Sequence, residues 1–319
     1  MAPQAPIDRI RVAARLANGF ALDLVKLGGF GRDVVDGLLM AAISQANVAQ
    51  ITRNPELQRA YARLDQPPPD ELRRPVSMSA IANSLRVPFE TARRRITALV
   101  ELGVVKTTPR GVVIPTAPLD SPIYKFAAQA HYNLVHTLYL RLRGIGFFED
   151  LPRADAADFD PENPPVRLVV RLSTDYVLRL AEPLSLHIGD LVTGLVLMDL
   201  IHANTEHLTD QQGGAKDAWD EGAFVSDDAR RPVRIAELSA RLGIPQETVR
   251  RHLQRLQNAD RCERIEDGFR VPARVLARGP FVQFMLDNQS HLHRLFVQLA
   301  DFGVLSEWER EVVALRGAA

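Results

Sequence analysis

The string Pro-x-Glu-Thr-x-Arg-Arg occurs twice in the chain, as PFETARR at 88–94 and PQETVRR at 245–251, 157 residues apart. Each copy places one carboxylate, one hydroxyl and two guanidinium groups within two turns of a helix. Arginine offers a rigid fork of donors that matches phosphate oxygens and paired planar acceptors. Glutamate accepts hydrogen bonds from amino groups, and threonine adds a short hydroxyl contact. None of these groups is paired with a base that would make a nucleophile of it. The chemistry such a helix can do is recognition of a polyanionic or planar, acceptor-rich surface.

Other chemistry is poorly served. Among eight histidines, HANTEH brings together His202, Glu206 and His207, and HLH brings together His291 and His293. Neither couples two helix-spaced histidines to a further ligand, as a zinc site requires. No glycine-rich phosphate loop follows a strand, and no serine or cysteine sits in a nucleophile context. No catalytic residue, cofactor or metal is expected, and the chain is not read as an enzyme. Cys262 is the only cysteine, which excludes an internal disulfide and fits a reducing compartment.

The repeated string belongs to a longer repeat. A shift of 157 residues aligns 73–115 with 230–272 without a gap, and thirteen positions are identical. The same shift matches Asp33, Gly37, Ala46 and Asn47 with Asp190, Gly194, Ala203 and Asn204. The reading is a tandem duplication over nearly the whole chain of 319 residues, enough for two or three domains. Apolar periodicity predicts two helices at the start of each unit, near 8–26 and 32–52 and near 168–181 and 187–207. A long amphipathic helix closes each unit, near 121–143 and 280–301. The units are placed at 1–147 and 166–319, with an acidic, proline-bearing linker at 148–165. The stretch 209–228 reads as a mobile loop. The most apolar run, LSLHIGDLVTGLVLMDLIHA, contains Asp190 and Asp199 on opposite helix faces, so it is read as core and not as a membrane span.

Inside each unit, at 74–117 and 231–274, the order is short helix, turn, second helix, then two short strands. In the second copy Ile235, Leu238 and Leu242 form one helix face, and Gly243 suits a left-handed turn. Pro245 starts the next helix, whose Val249, Leu253 and Leu256 form a buried stripe. CERIEDGFRVP then reads as a hairpin. In the first copy Arg86 stands where Gly243 does. This layout resembles the winged helix-turn-helix DNA-binding proteins, bacterial transcription regulators among them. The fold class expected is mainly α, an internal duplication of winged helix-turn-helix units with hairpin wings and long flanking helices.

The resemblance implies double-stranded DNA as partner, with the outward face of the second helix entering the major groove. Carried over by position, Phe89 and Gln246, Glu90 and Glu247, and Arg94 and Arg251 would read bases. Thr91 and Thr248 with Arg93 and Arg250 would hold phosphates. Arg95 and His252, and Thr97 and Gln254, would make the two copies differ in what they read. Arg110, at the tip of the first wing, would rest on backbone or minor groove. The sober alternative is that Glu90–Arg94 and Glu247–Arg251 are i,i+4 pairs on a solvated helix.

Charge favours the first copy. Residues 84–110 hold six cations against two carboxylates, a net of +4, whereas 241–267 hold six against five, a net of +1. The second wing carries Glu266 and Asp267, which phosphate would repel. The function expected is sequence-specific transcription regulation in the cytoplasm, on the nucleoid, through two pseudo-symmetric motifs. The alternative is a scaffold or chromosome-organising protein whose winged helices bind other proteins. A homodimer and a small-molecule effector stay open, and no membrane partner is expected. Asn47 and Asn204, polar residues in apolar helices, read either as cross-helix hydrogen bonds or as part of a ligand pocket.

Overall fold

A computed structural model of the chain describes residues 5–29, 31–148, 151, 162–188, 190–210 and 217–317. The chain is mainly helical. Helices α1 (Ile7–Gly28) and α2 (Val34–Asn47) open it, followed by short α3 (Ala49–Thr52) and α4 (Pro55–Ala60). Next come α5 (Met78–Leu85), α6 (Phe89–Glu101), strands β1 (Lys106–Thr108) and β2 (Gly111–Val113), short α7 (Thr116–Leu119) and long α8 (Pro122–Gly144). The order then recurs: α9 (Val166–Ile188), α10 (Leu191–Thr205), α11 (Ile235–Leu242), α12 (Gln246–Asn258), β3 (Glu263–Ile265), β4 (Gly268–Arg270), α13 (Ala273–Leu276) and α14 (Gly279–Asp301). α15 (Val304–Gly317) ends the described chain.

Local chemistry sets these boundaries. Asp33 caps α2 by accepting from the amides of Val35 and Asp36, and Asp190 caps α10 by accepting from Thr193 N. The apolar run around residue 190 is thus split by a cap. Asp199, nine residues on, is fully buried and paired with Arg241 at 3.0 Å and Lys26 at 3.7 Å. Among the described residues no helix is long and apolar enough to cross a membrane.

The long helices share one apolar core that runs from α1 to Trp308 of α15. α1 packs against α2 and α8 and also against α10 and α14, while α9 packs against α10 and α14 and also against α2 and α8. Trp308 locks α15 to α8, donating its indole N–H to the Tyr132 hydroxyl at 2.6 Å and stacking on His136.

Two expectations change here. The stretch 209–228 is not a free loop in its described part. Asp217 accepts from Ile7 N at 2.9 Å, and the Ala218 carbonyl accepts from the buried Arg11. The open amides at the start of α1 and a guanidinium removed from water both need acceptors, and this segment supplies them. Residues 211–216 lie outside the described residues, as do 149–150 and 152–161 of the expected linker. The second change concerns the two asparagines. Asn47 donates to the carbonyls of Arg74 (2.8 Å) and Val112 (3.2 Å) and accepts from Ile114 N (2.9 Å). Asn204 does the same with Arg231 (2.7 Å), Phe269 (3.2 Å) and Val271 (2.9 Å). Each amide is engaged by backbone through both its nitrogen and its oxygen, so each clamps a hairpin to a core helix, the hydrogen-bonded one of the two readings.

Candidate nucleic-acid interface

Helices α5 and α6 with the β1–β2 hairpin make one helix–turn–helix–hairpin module, and α11, α12 and β3–β4 make another. The turn between the helices needs a left-handed residue. Gly243 supplies it at φ 69°, and Arg86 does so at φ 51° at the cost of steric strain on a side-chained residue. Ala92, Ile96 and Leu99 are buried along α6, as are Val249, Leu253 and Leu256 along α12. The hairpins are antiparallel, pairing Lys106 with Val113 and Glu263 with Arg270. A third short segment joins each through the bridges Val76–Val112 and Val233–Phe269. That third segment explains the glycine kept in both copies. A Cβ on Gly111 would stand 2.2 Å from the Val76 carbonyl oxygen, and one on Gly268 2.6 Å from that of Val233.

The outward faces are as the helical period requires. Phe89, Glu90, Arg93, Arg94 and Thr97 are exposed on α6, and Gln246, Glu247, Arg250, Arg251 and Gln254 on α12. Thr91 and Thr248 are half-buried beside them. The ion pairs differ from those expected. Glu90 bonds Arg93 at 2.7 Å and Glu247 bonds Arg250 at 2.7 Å, both at i,i+3. These pairs hold both carboxylates below their usual range, through the arginine hydrogen bond first. Among the described residues Arg94 and Arg251 therefore project with no hydrogen bond or ion pair, Glu247 feeling Arg251 only at longer range. Gln254 is engaged with Asn258 at 3.0 Å.

Two residues expected on the reading face are elsewhere. Arg95 turns inward and bonds Asp33 and Asp36, each at 2.7 Å. His252 is buried and meets the Thr193 hydroxyl at 2.7 Å, with Asp190 at 3.8 Å. Burial, opposed by Asp190, draws its pKa below the ordinary histidine value. The reason is angular: the position one residue past each exposed arginine lies roughly 100° round the helix, on the flank that faces the α2 or α10 N-terminus. These side chains lock α6 and α12 to the core.

Free charge is unevenly distributed. Around the first module Arg86, Arg94, Lys106 and Arg110 form no ion pair among the described residues; Asp70 feels Lys106 only at longer range. Around the second, Arg231 is held by Glu237 and Glu206, Arg255 by Asp190, and Arg274 and Arg278 by Asp260. Arg234 lies 3.9 Å from Asp267 at the wing tip. Among the described residues only Arg251 and Arg264 form no ion pair beside that hairpin and α12. Arg86, Lys106 and Arg264 were not among the expected contacts; their only sequence signal was charge, and only the fold shows which charges lack partners.

Residues 228–275, from just before α11 to the end of the second hairpin and most of α13, match the DeoR-like helix-turn-helix domain. No curated protein and no solved structure matches the chain. The DeoR-like domain supports a DNA-binding transcription regulator of the winged helix-turn-helix kind. Within that domain the hairpin and the exposed face of α12 are the parts a duplex could meet, and Asn204 of α10 holds the hairpin from outside it.

Proposed function

We propose that the chain is a sequence-specific transcription regulator, an internal duplication that carries two pseudo-symmetric winged helix-turn-helix readers within one polypeptide. The units are 1–147 and 166–319. Arg94 and Arg251 read base edges with Phe89, Glu90, Gln246 and Glu247 beside them. Thr91, Thr248, Arg93 and Arg250 hold phosphates, and Arg110 with Lys106 sets the first wing on the backbone. The observation that carries this reading is the unpaired arginine at the same outward place on both helices. A guanidinium left free beside a neighbour whose charge is satisfied is ready for a guanine edge.

The two readers are neighbours. A Cβ on Gly243, at the turn before α12, would lie 3.1 Å from the Asp33 backbone, and Asp33 bonds Arg95 in the middle of α6. At a rise of about 1.5 Å per residue, the middle of α12 is only ~14 Å further on. Both helices then fall inside the roughly 34 Å of one DNA turn that separates half-sites of two-fold dimers. The target is accordingly one compact, imperfect repeat.

Selection of binding sites from random duplexes tests this with the parent, Arg94→Ala and Arg251→Ala. Each variant is expected to blur a different part of one motif less than a full turn long, with Arg94→Ala costing more. Absence of any selected motif, or half-sites a full turn apart, would overturn it.

A further inference from the structure

A cavity of about 280 Å³ lies between α1, α10 and the first turns of α14. Leu197, Met198 and Ile201 of α10 and Phe281, Phe284 and Met285 of α14 make its walls apolar. A second cavity, of about 370 Å³, lies 157 residues earlier, between α2, α8 and α9; there Met40, Ala41, Ser44, Tyr124, Ala127 and Ala128 stand at the same positions. The space is thus built into the architecture twice, and its size is near the lower end of the ~300–1,000 Å³ of small-molecule sites. Apolar space of this kind holds water poorly and takes apolar ligands readily.

The two cavities differ in charge. Arg11, Arg230, Arg261 and Arg278 line the one on α10, and Val104 and Ser121 replace the last two in its counterpart, which has no arginine in its described lining. Arg230 is decisive. Its side chain is 2 % exposed and lies 3.6 Å from Asp227, and its Nε donates to the Val225 carbonyl at 3.2 Å. Its Nη1 is buried with no acceptor among the described residues. Burial lowers this guanidinium to about 10, which still leaves it cationic at neutral pH. A charged donor kept out of water beside an apolar space calls for an anionic acceptor.

We infer that this cavity binds an amphipathic carboxylate, its alkyl or aryl body among the α10 and α14 side chains and its head group against Arg230. The lining helix α10 also carries Asn204, which holds the second wing, and Asp199, which holds Arg241 of α11. Occupancy therefore bears on the DeoR-like domain. That link to DNA rests on the function proposed above; the binding itself does not.

Calorimetry without DNA separates the two, using decanoate with decanol and decylamine as head-group controls. One equivalent of decanoate is expected, with decanol at least tenfold weaker. Arg230→Gln should lose tenfold or more, and Met198→Trp, which fills the cavity with apolar volume, should abolish binding with the circular-dichroism spectrum kept. If Arg230→Gln fails to fold, the head-group series and Met198→Trp decide alone. No heat with decanoate, equal binding of decanol, or binding indifferent to Met198→Trp would overturn the inference. A change in fluorescence anisotropy of the selected duplex on adding decanoate tests the link to DNA separately.

Discussion

At the residue scale, three consecutive arginines on α6 have three different tasks. Arg93 satisfies Glu90, Arg94 projects free, and Arg95 neutralises Asp33 and the buried Asp36. Their alanine variants should therefore separate. Arg94→Ala should cost ~1–3 kcal/mol at one base position and relax specificity there. Arg93→Ala should weaken all sequences evenly and flatten the dependence of log affinity on log salt by about one unit. Arg95→Ala should lower unfolding stability by about 1–3 kcal/mol, since it strips a partner from carboxylates the core keeps from water. Denaturant melts and titrations at several salt concentrations, done on the same three proteins, make the comparison. Identical behaviour of all three would show that the face has been misassigned. The sequence put Arg94 on the exposed face, where it stands, and counted Arg95 and His252 among the contacts because they differ between the copies; a difference in residue type does not show what stands opposite it.

At the element scale, the wings share a clamp and differ in sign. Asn47 and Asn204 hold them in the same way, so both hairpins are fixed relative to their reading helices. The tips then decide what each does: Pro109 and Arg110 on one, Glu266 and Asp267 on the other. Asp267→Arg, which places the cation of position 110 on the second wing, should raise DNA affinity and steepen the salt slope by about one to two units. It should leave the thermal midpoint nearly unchanged, since its nearest ionic partner, Arg234, is 3.9 Å away on an exposed surface. An unchanged slope would remove the second wing from the interface.

At the scale of the whole molecule, the core is sensitive to acid. His131 meets the Ser173 hydroxyl at 2.7 Å, and burial lowers its pKa from 6.5 to about 3. Burial lowers His136, His202, His252 and His291 in the same direction. A histidine depressed in the fold stays neutral while the unfolded chain takes the proton. Stability is therefore full above about pH 6.5 and is lost as pH falls towards 3. His131 alone should account for roughly 1–2 kcal/mol of that loss by pH 5. Urea midpoints between pH 7.5 and 5 measure it, and His131→Asn should flatten the profile. A midpoint that rose on acidification would contradict the burial of these rings.

The sequence by itself determined the elements and their order. A 157-residue period is visible in the letters themselves, and helical apolar stripes and turn residues such as Gly243 are local signals that local physical chemistry is enough to read; the caps Asp33 and Asp190, which the sequence reading placed inside helices, were not. Tertiary structure decided which charges are spent. Glu90 chose Arg93 over Arg94, Asp33 and Asp36 took Arg95, and Asp260 took Arg274 and Arg278, because an ion pair depends on three-dimensional approach that spacing along the chain does not encode. It also decided that the asparagines clamp wings and that the apolar space lies elsewhere, between α1, α10 and α14. Cavities arise where helices distant in sequence fail to fill the volume between them, and no stretch of sequence carries that volume.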